Sequence, residues 1–451
     1  MGTIPSGPVA RGVVVVLTRP LHLFWATEAR GALLLLAATV AALVWANSPW
    51  VAGYETLWST RLSVQLGQAE LSKDLRHWVN DGLMTLFFLV VGLEFSRQLK
   101  LGELRPWRAM TVPAAAALGG LAVPALLYLA VNPSGAPARG WPIVLAGDLG
   151  LVLGLLALVG PRCPPQLRVF LLLLVLIGDI TAVAAIGLLQ AEVLNILALA
   201  VVLELFAVVT VLRLLRVLRT LAYLVVGAAL WVATLASGIH PALAGLLLGV
   251  VLTAYPPVPT ELLGRIRFGR WLEPDPTPEM RWEAPLDGGT TLHPTQRLQR
   301  RLHPWSSYLV VPVFALANAG VVLDRELLAR AVGSPITLGV LTGLVVGKLV
   351  GIFGASLLAT RVGLGPLPRL VTRQQLAAAA TLAGIGFTVA LFVADLAFTD
   401  RVTRDEAKVG ILVASAAAAT LSWLLFHLPG RRPGRRPRAG VDPSAGSTPA
   451  A

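Results

Sequence analysis

Apolar residues along this chain come in runs longer than a water-soluble core requires. Twelve runs can be marked, at 31–48, 80–99, 109–131, 142–160, 168–190, 193–214, 219–236, 240–254, 304–323, 335–360, 372–397 and 408–427. Most approach the ~20 residues that an α-helix needs to cross bilayer hydrocarbon, though several are short or contain Gly and Pro. The pattern predicts one transmembrane domain over residues 31–428, preceded by a cytoplasmic segment, 1–30. Two stretches break it. Residues 255–303 are rich in Pro and charge and are expected to form a long cytoplasmic loop. Residues 429–451, PGRRPGRRPRAGVDPSAGSTPAA, have the composition of a disordered basic tail whose partner is anionic lipid.

The basic residues orient the spans, because Lys and Arg are retained on the cytoplasmic side. Arg11, Arg19 and Arg30 lie before the first run, and Arg97, Lys100, Arg105 and Arg108 lie around the second loop. Seven arginines fall in 255–303, and Arg431, Arg432, Arg435, Arg436 and Arg438 in the tail. The alternate loops are poorer: the third has Arg139 alone. Both termini are therefore expected in the cytoplasm, which requires an even number of spans.

Composition agrees. The chain is 56% hydrophobic and only 14% charged, where soluble domains carry about 25% charged residues. A formal charge of +13 raises nucleic acid as a partner, but the basic residues sit in short loops and in the tail, so membrane lipid is the expected partner and nucleic acid is not. The single cysteine, Cys163, leaves no internal disulfide framework. The opening MGTIPS fits a loose acylation pattern at Gly2, which a polytopic chain makes redundant, and Val13–Leu17 is too short for a signal peptide.

Within the runs stand Glu94, Asp148, Asp179, Glu204, Lys348 and Asp395. A charge at mid-bilayer costs roughly 2.5–3.5 kcal/mol on insertion scales, so each needs a reason. Glu94 and Asp395 lie near run ends and can reach the interface by snorkelling. Glu204 suits a helix–helix contact or a protonated side chain. Asp148, Asp179 and Lys348 are deeper. Asp148 sits in LAGDLGLVLG, where Gly147, Gly150 and Gly154 weaken a helix, and a second Gly-interrupted run, LAGIGFTVALF, holds Gly384, Gly386 and Thr388. Two such interruptions predict discontinuous helices, whose ends carry about half an elementary charge each. Asp148 and Lys348 then compensate helix dipoles, carry transport, or do both. Carboxylates with bare carbonyls suit a hard cation such as Na⁺ or Li⁺, and the same carboxylate takes a proton. A site that holds one or the other is the minimum machinery of an exchanger.

Six segments carry a resemblance: NDGLMTLFFLVVGLE (80–94), LAGDLGLVLGLLALVG (145–160), SGIHPALAG (237–245), LHPWSSYLVVPVFALANAG (302–320), GLVVGKLVGI (343–352) and AGIGFTVALFVADLAF (383–398). In order and spacing, from about residue 25 to 428, the chain resembles the NhaA-type sodium/proton antiporters. The resemblance implies an all-α polytopic fold of about twelve transmembrane helices, with inverted repeats and two discontinuous crossing helices, an architecture of which the NhaA type is itself a standard example. It implies residence in the bacterial plasma membrane and a homodimer formed through residues 49–66, which match the family's β-hairpin contact. It implies Asp179 and Asp148 as cation ligands and Lys348 as the mid-membrane lysine. Glu94, Arg97, His240 and His303 become pH-response candidates, although a lone histidine at a span start, as His240 is, also serves as a cap.

The departures are specific. The family's fifth span shows two consecutive aspartates; here the first is Gly178. Lys348 thus lacks its expected partner, and either pairs with Asp148 or rests on carbonyls. Gly147 replaces the threonine before Asp148, and Thr181 offers a hydroxyl two residues after Asp179 as a substitute ligand. Gln98 and Gln299 replace residues that are often acidic. The expected function is exchange of Na⁺ or Li⁺ for protons, without cofactor and not as an enzyme, with a stoichiometry that one missing acid can lower. The alternative is a transporter-fold protein with another solute or a sensor role. An intramembrane aspartyl protease fits poorly, because Gly147 precedes Asp148 and Leu176 stands where a glycine is needed.

Overall fold

The computed structural model describes residues 30–66, 69–101, 107–159, 163–189, 195–215, 217, 220–252, 301–365 and 371–428. Of the loop expected at 255–303, residues 255–300 lie outside them while 301–303 are helical; the N-terminal segment to residue 29 and the tail from 429 also lie outside.

Helix dominates because the apolar runs leave the backbone no other hydrogen-bonding partners in hydrocarbon. Among the described residues, six helices are long and apolar enough to cross a membrane: Leu75–Arg97, Thr111–Val131, Gln166–Gly187, Ile196–Leu214, Pro335–Arg361 and Arg401–His427. Two bent pairs, Arg30–Ala46 with Val51–Ser59 and Gly135–Leu145 with Leu149–Val159, raise the number to as many as eight. Shorter apolar helices cover Leu221–Ser237, Pro241–Leu252 and Thr388–Ala397. Apolar side chains face outward as well as inward: Ile196 and Leu197 are each 79% exposed. A surface of this kind is stable against lipid, not against water.

Inside the bundle, small residues let backbones approach, as they do between membrane helices. A Cβ on Gly92 would strike the Leu246 carbonyl, and one on Gly249 the Leu89 carbonyl. Gly119 and Gly351 press together in the same way.

Both glycine-rich runs are interrupted. The first starts as a 3₁₀ turn, Trp141–Leu145, becomes non-helical at 146–148, and resumes as Leu149–Val159 at a bend of 45°. The second runs as Arg373–Leu382, loses its helix at 383–387, and resumes as Thr388–Ala397. The two interruptions touch: a Cβ on Gly386 would lie 3.2 Å from the Ala146 carbonyl oxygen.

Three expectations need correction. The strand pair is Arg61–Leu66 with Ala69–Asp74, antiparallel, so the hairpin extends beyond 49–66 and starts later. Val51–Ser59 is helical instead, with Tyr54 and Trp58, four residues apart, buried on one face. Asp395 does not snorkel; its side chain is 9% exposed and meets Lys408. Glu94 is 5% exposed and is held by Arg97 through two hydrogen bonds, of 2.9 and 2.5 Å. Glu204 lies exposed on its helix and not in a helix–helix contact surface.

Candidate cation site

Asp148, Asp179 and Lys348 converge where the two interruptions meet, and they are 3%, 1% and 4% exposed. Asp179 stands in the middle of an unbroken helix, Pro165–Leu189, so its position is rigid. Asp148 stands at the break itself, the last residue before Leu149–Val159.

The break supplies donors that an intact helix would consume. Gly147 N–H donates to Asp179 Oδ1 at 2.9 Å. Leu151 N–H donates to Asp148 Oδ1 at 2.8 Å, as in an N-cap. Thr388 opens the resumed second helix and grips Asp148 Oδ2 twice, through its N–H at 2.9 Å and its hydroxyl at 2.5 Å. Asp148 therefore ties the two interrupted segments together.

The lysine is held differently. Lys348 Nζ donates to the Leu145 carbonyl at 2.6 Å, the last residue of the 3₁₀ turn. Of the two arrangements left open for Lys348, the carbonyl is its partner. Gly178 makes this possible: a Cβ there would lie 2.5 Å from the Leu145 oxygen and 3.6 Å from Lys348 Nζ. Without a side chain at 178, the backbone of the broken segment fills the place beside the ammonium. Gly147 is similarly constrained, because a Cβ would meet Val175 Cγ1 at 2.8 Å.

Thr181 donates its hydroxyl to the Ile177 carbonyl of its own helix at 2.7 Å, so its proton is already committed. A cavity of about 70 Å³ reaches the two acids and is also lined by Glu94, His303 and Thr388. Two of the pH-response candidates thus border the space before the site, and Arg97 is tied to it through Glu94. His240 is elsewhere. Its Nδ1 accepts from Ala242 N–H at 3.2 Å, a cap on Pro241–Leu252, and its Nε2 lies 3.3 Å from Asp81 Oδ1. His240, Asp81 and Lys73 line a separate, more open cleft. Gly384 and Gly386 serve by close approach, to the Leu344 carbonyl and to Leu344 and Ala146.

The family model described as Na⁺/H⁺ antiporter 1 matches residues 22–426. The chain belongs to the Na⁺/H⁺ antiporter 1 family. Among its relatives is Na(+)/H(+) antiporter NhaA 3 of Frankia alni, 45% identical over 409 residues, covering 91% of this chain and 88% of that one. Na(+)/H(+) antiporter NhaA 1 of Salinispora arenicola is 44% identical over 428 residues, 95% of this chain and 65% of its own. A Mycobacterium sp. (strain JLS) Na(+)/H(+) antiporter NhaA 1 is 40% identical over 402 residues, 89% of this chain and 66% of its own. The chain thus spans most of the first relative and just under two thirds of the other two.

Sequence reasoning found the three charged residues and the interruptions in this family member. It missed the Leu145 carbonyl as the lysine's partner and the hydroxyl of Thr388 on Asp148. It also missed a second buried lysine, Lys408. Lys408 opens the apolar run 408–427, and Asp395, thirteen positions earlier in another apolar stretch, is the signal for it in sequence.

Proposed function

We propose that this protein exchanges Na⁺ or Li⁺ for protons across the bacterial plasma membrane, in the service of pH and sodium homeostasis. The observation that carries the reading is the pair of buried carboxylates at the junction of two interrupted helices, reached by a cavity. A carboxylate in such a place binds a dehydrated cation or a proton, not both, and that exclusion is what couples the two fluxes. Asp179 and Asp148 supply the anionic oxygens. Thr388 and the Gly147 and Leu151 N–H groups hold those oxygens in place. Alternating access then exposes the acids to one side and then to the other, the interrupted helices being the parts that reseat.

In this reading the chain spans the membrane twelve times with both termini in the cytoplasm, the interrupted helices cross within an inverted repeat, and the hairpin joins two copies. Lys348 rests on a neutral carbonyl rather than on a second carboxylate. The site then has one acid fewer than the family pattern, and 1:1 electroneutral exchange follows unless Lys348 itself releases a proton. The closing of Leu145 over Gly178 also favours a second reading, a family member that keeps the fold and has given up sodium exchange.

Proteoliposomes loaded with a pH-sensitive dye test both. Na⁺-driven proton release that disappears in Asp179→Asn supports exchange. Silence toward Na⁺ and Li⁺ across pH, with exchange gained by Gly178→Asp, supports the second reading.

A further inference from the structure

A buried lysine–carboxylate pair stands away from the cation site. Lys408 Nζ lies 2.7 Å from Asp395 Oδ1, and the two side chains are 8% and 9% exposed. The same ammonium donates to the Asn318 carbonyl at 2.9 Å. Arg404 Nε is more distant from Asp395, at 3.8 Å, and its side chain is 28% exposed. Asp395 Oδ2 is buried without a hydrogen-bond partner.

Three helices meet at this point. Val311–Asn318 ends there, Thr388–Ala397 carries Asp395, and Arg401–His427 carries Lys408. The carbonyl end of a helix holds partial negative charge, which Lys408 neutralises. Asp395 balances the charge that remains. Such a pair returns little net stability, because both ions had to leave water, yet loss of either partner strands a buried charge. Its effect is to specify where the helices sit. The Asn318 side chain extends the junction by donating to Asn80 Oδ1 at 2.8 Å.

Thr388–Ala397 is a ten-residue rod, and both of its ends are engaged. Thr388 at its start holds Asp148, while Asp395, seven residues on, lies about two turns away on the same face. The stretch at 383–387 before it is non-helical, so no continuous helix sets the rod's position from that side. We propose that Asp395 is a positioning residue for the cation site: its pairing with Lys408 fixes the Thr388–Ala397 helix and thereby the grip of Thr388 on Asp148. The proposal rests on the exchange reading for its meaning in transport, but it concerns Na⁺ binding and is tested there.

The full chain, purified in detergent, is titrated with NaCl and its Na⁺-dependent thermal stabilisation gives Kd. Wild type, Asp395→Asn, Thr388→Ala and the double variant form a cycle. Asp395→Asn is expected to weaken Na⁺ binding by about twofold to thirtyfold, the range for coupling through a packed element. In the Thr388→Ala background, where only the N–H contact to Asp148 remains, it should cause a smaller further loss than in wild type. A Kd within about twofold of wild type overturns the proposal, as does an equal loss in both backgrounds, which a merely structural role would produce. If Asp395→Asn does not fold, Asp395→Asn combined with Lys408→Met, which removes both charges and strands neither, takes its place, and an unchanged Kd overturns the proposal equally. Wild type that binds Na⁺ in detergent but exchanges nothing in proteoliposomes sinks the exchange reading and leaves the cycle to decide this one. Wild type that does not bind Na⁺ sinks both.

Discussion

Asp179 and Asp148 are satisfied by unequal means. Asp179 takes one N–H from the break, whereas Asp148 takes two N–H groups and a hydroxyl. The more lightly bonded acid is the one a cation disturbs least on entry. Asp179→Asn is therefore expected to abolish Na⁺-driven proton release without loss of fold, checked by transport and by Tm in parallel. Thr388→Ala removes one hydrogen bond to a charged group, worth about 1.5–3 kcal/mol, and should raise the apparent KM for Na⁺ by roughly tenfold or more. Gly178→Asp brings a Cβ to 2.5 Å from the Leu145 oxygen. It should lower the Tm, since overpacking costs about 1–3 kcal/mol, and it should make exchange carry current by offering Lys348 a carboxylate. Cys163 lies outside the apolar runs, and burial pushes its thiol up to about 11. Alkylation of the folded protein should therefore be negligible at neutral pH and rise only toward pH 11, and rapid labelling at neutral pH would contradict this placement. The three buried charges were legible because residue type alone marks an acid or lysine in a hydrocarbon-like run. Leu145 as the lysine's partner was not, because a carbonyl has no signature in sequence; only the absence at Gly178 hinted at it.

Elements follow the same division. Glycines at 147, 150, 384 and 386 predicted where the helices break, and the interruptions fall at 146–148 and 383–387. The physical link is direct, since glycine weakens a helix and allows backbones to close. The hairpin was displaced because its sequence match covered a stretch with mixed periods. Tyr54 and Trp58 keep helical spacing, while alternation begins at Arg61. Packing of Leu75–Arg97 against Pro241–Leu252 depends on Gly92 and Gly249, each of which faces a backbone carbonyl. Gly249→Leu is expected to cost at least about 1–3 kcal/mol and to lower the Tm by several degrees, measured by thermal unfolding in detergent. A Tm equal to wild type would show that this pair of helices is not tightly packed.

At the scale of the whole molecule, the account is that one buried acid site, set where two interrupted helices meet, exchanges cation for proton. On the proposal that the hairpin joins two copies, deleting it, Arg61–Asp74, should leave this chemistry intact and shift the particle from two copies to one, read by mass measurement of the detergent complex. The multi-pass helical class was legible from apolar length, since bilayer hydrocarbon imposes it. The relation between the site and the distant Asp395–Lys408 junction was not, because it passes through a helix whose apolar pattern is the same whichever partners it has. The measurement to make first is proton release from proteoliposomes on addition of Na⁺ or Li⁺, for wild type and Asp179→Asn, with the membrane potential free and clamped. The account predicts release from wild type, none from Asp179→Asn, and rates that do not depend on the potential. Equal release from both proteins would contradict the role of Asp179, and rates that follow the potential would contradict 1:1 electroneutral exchange.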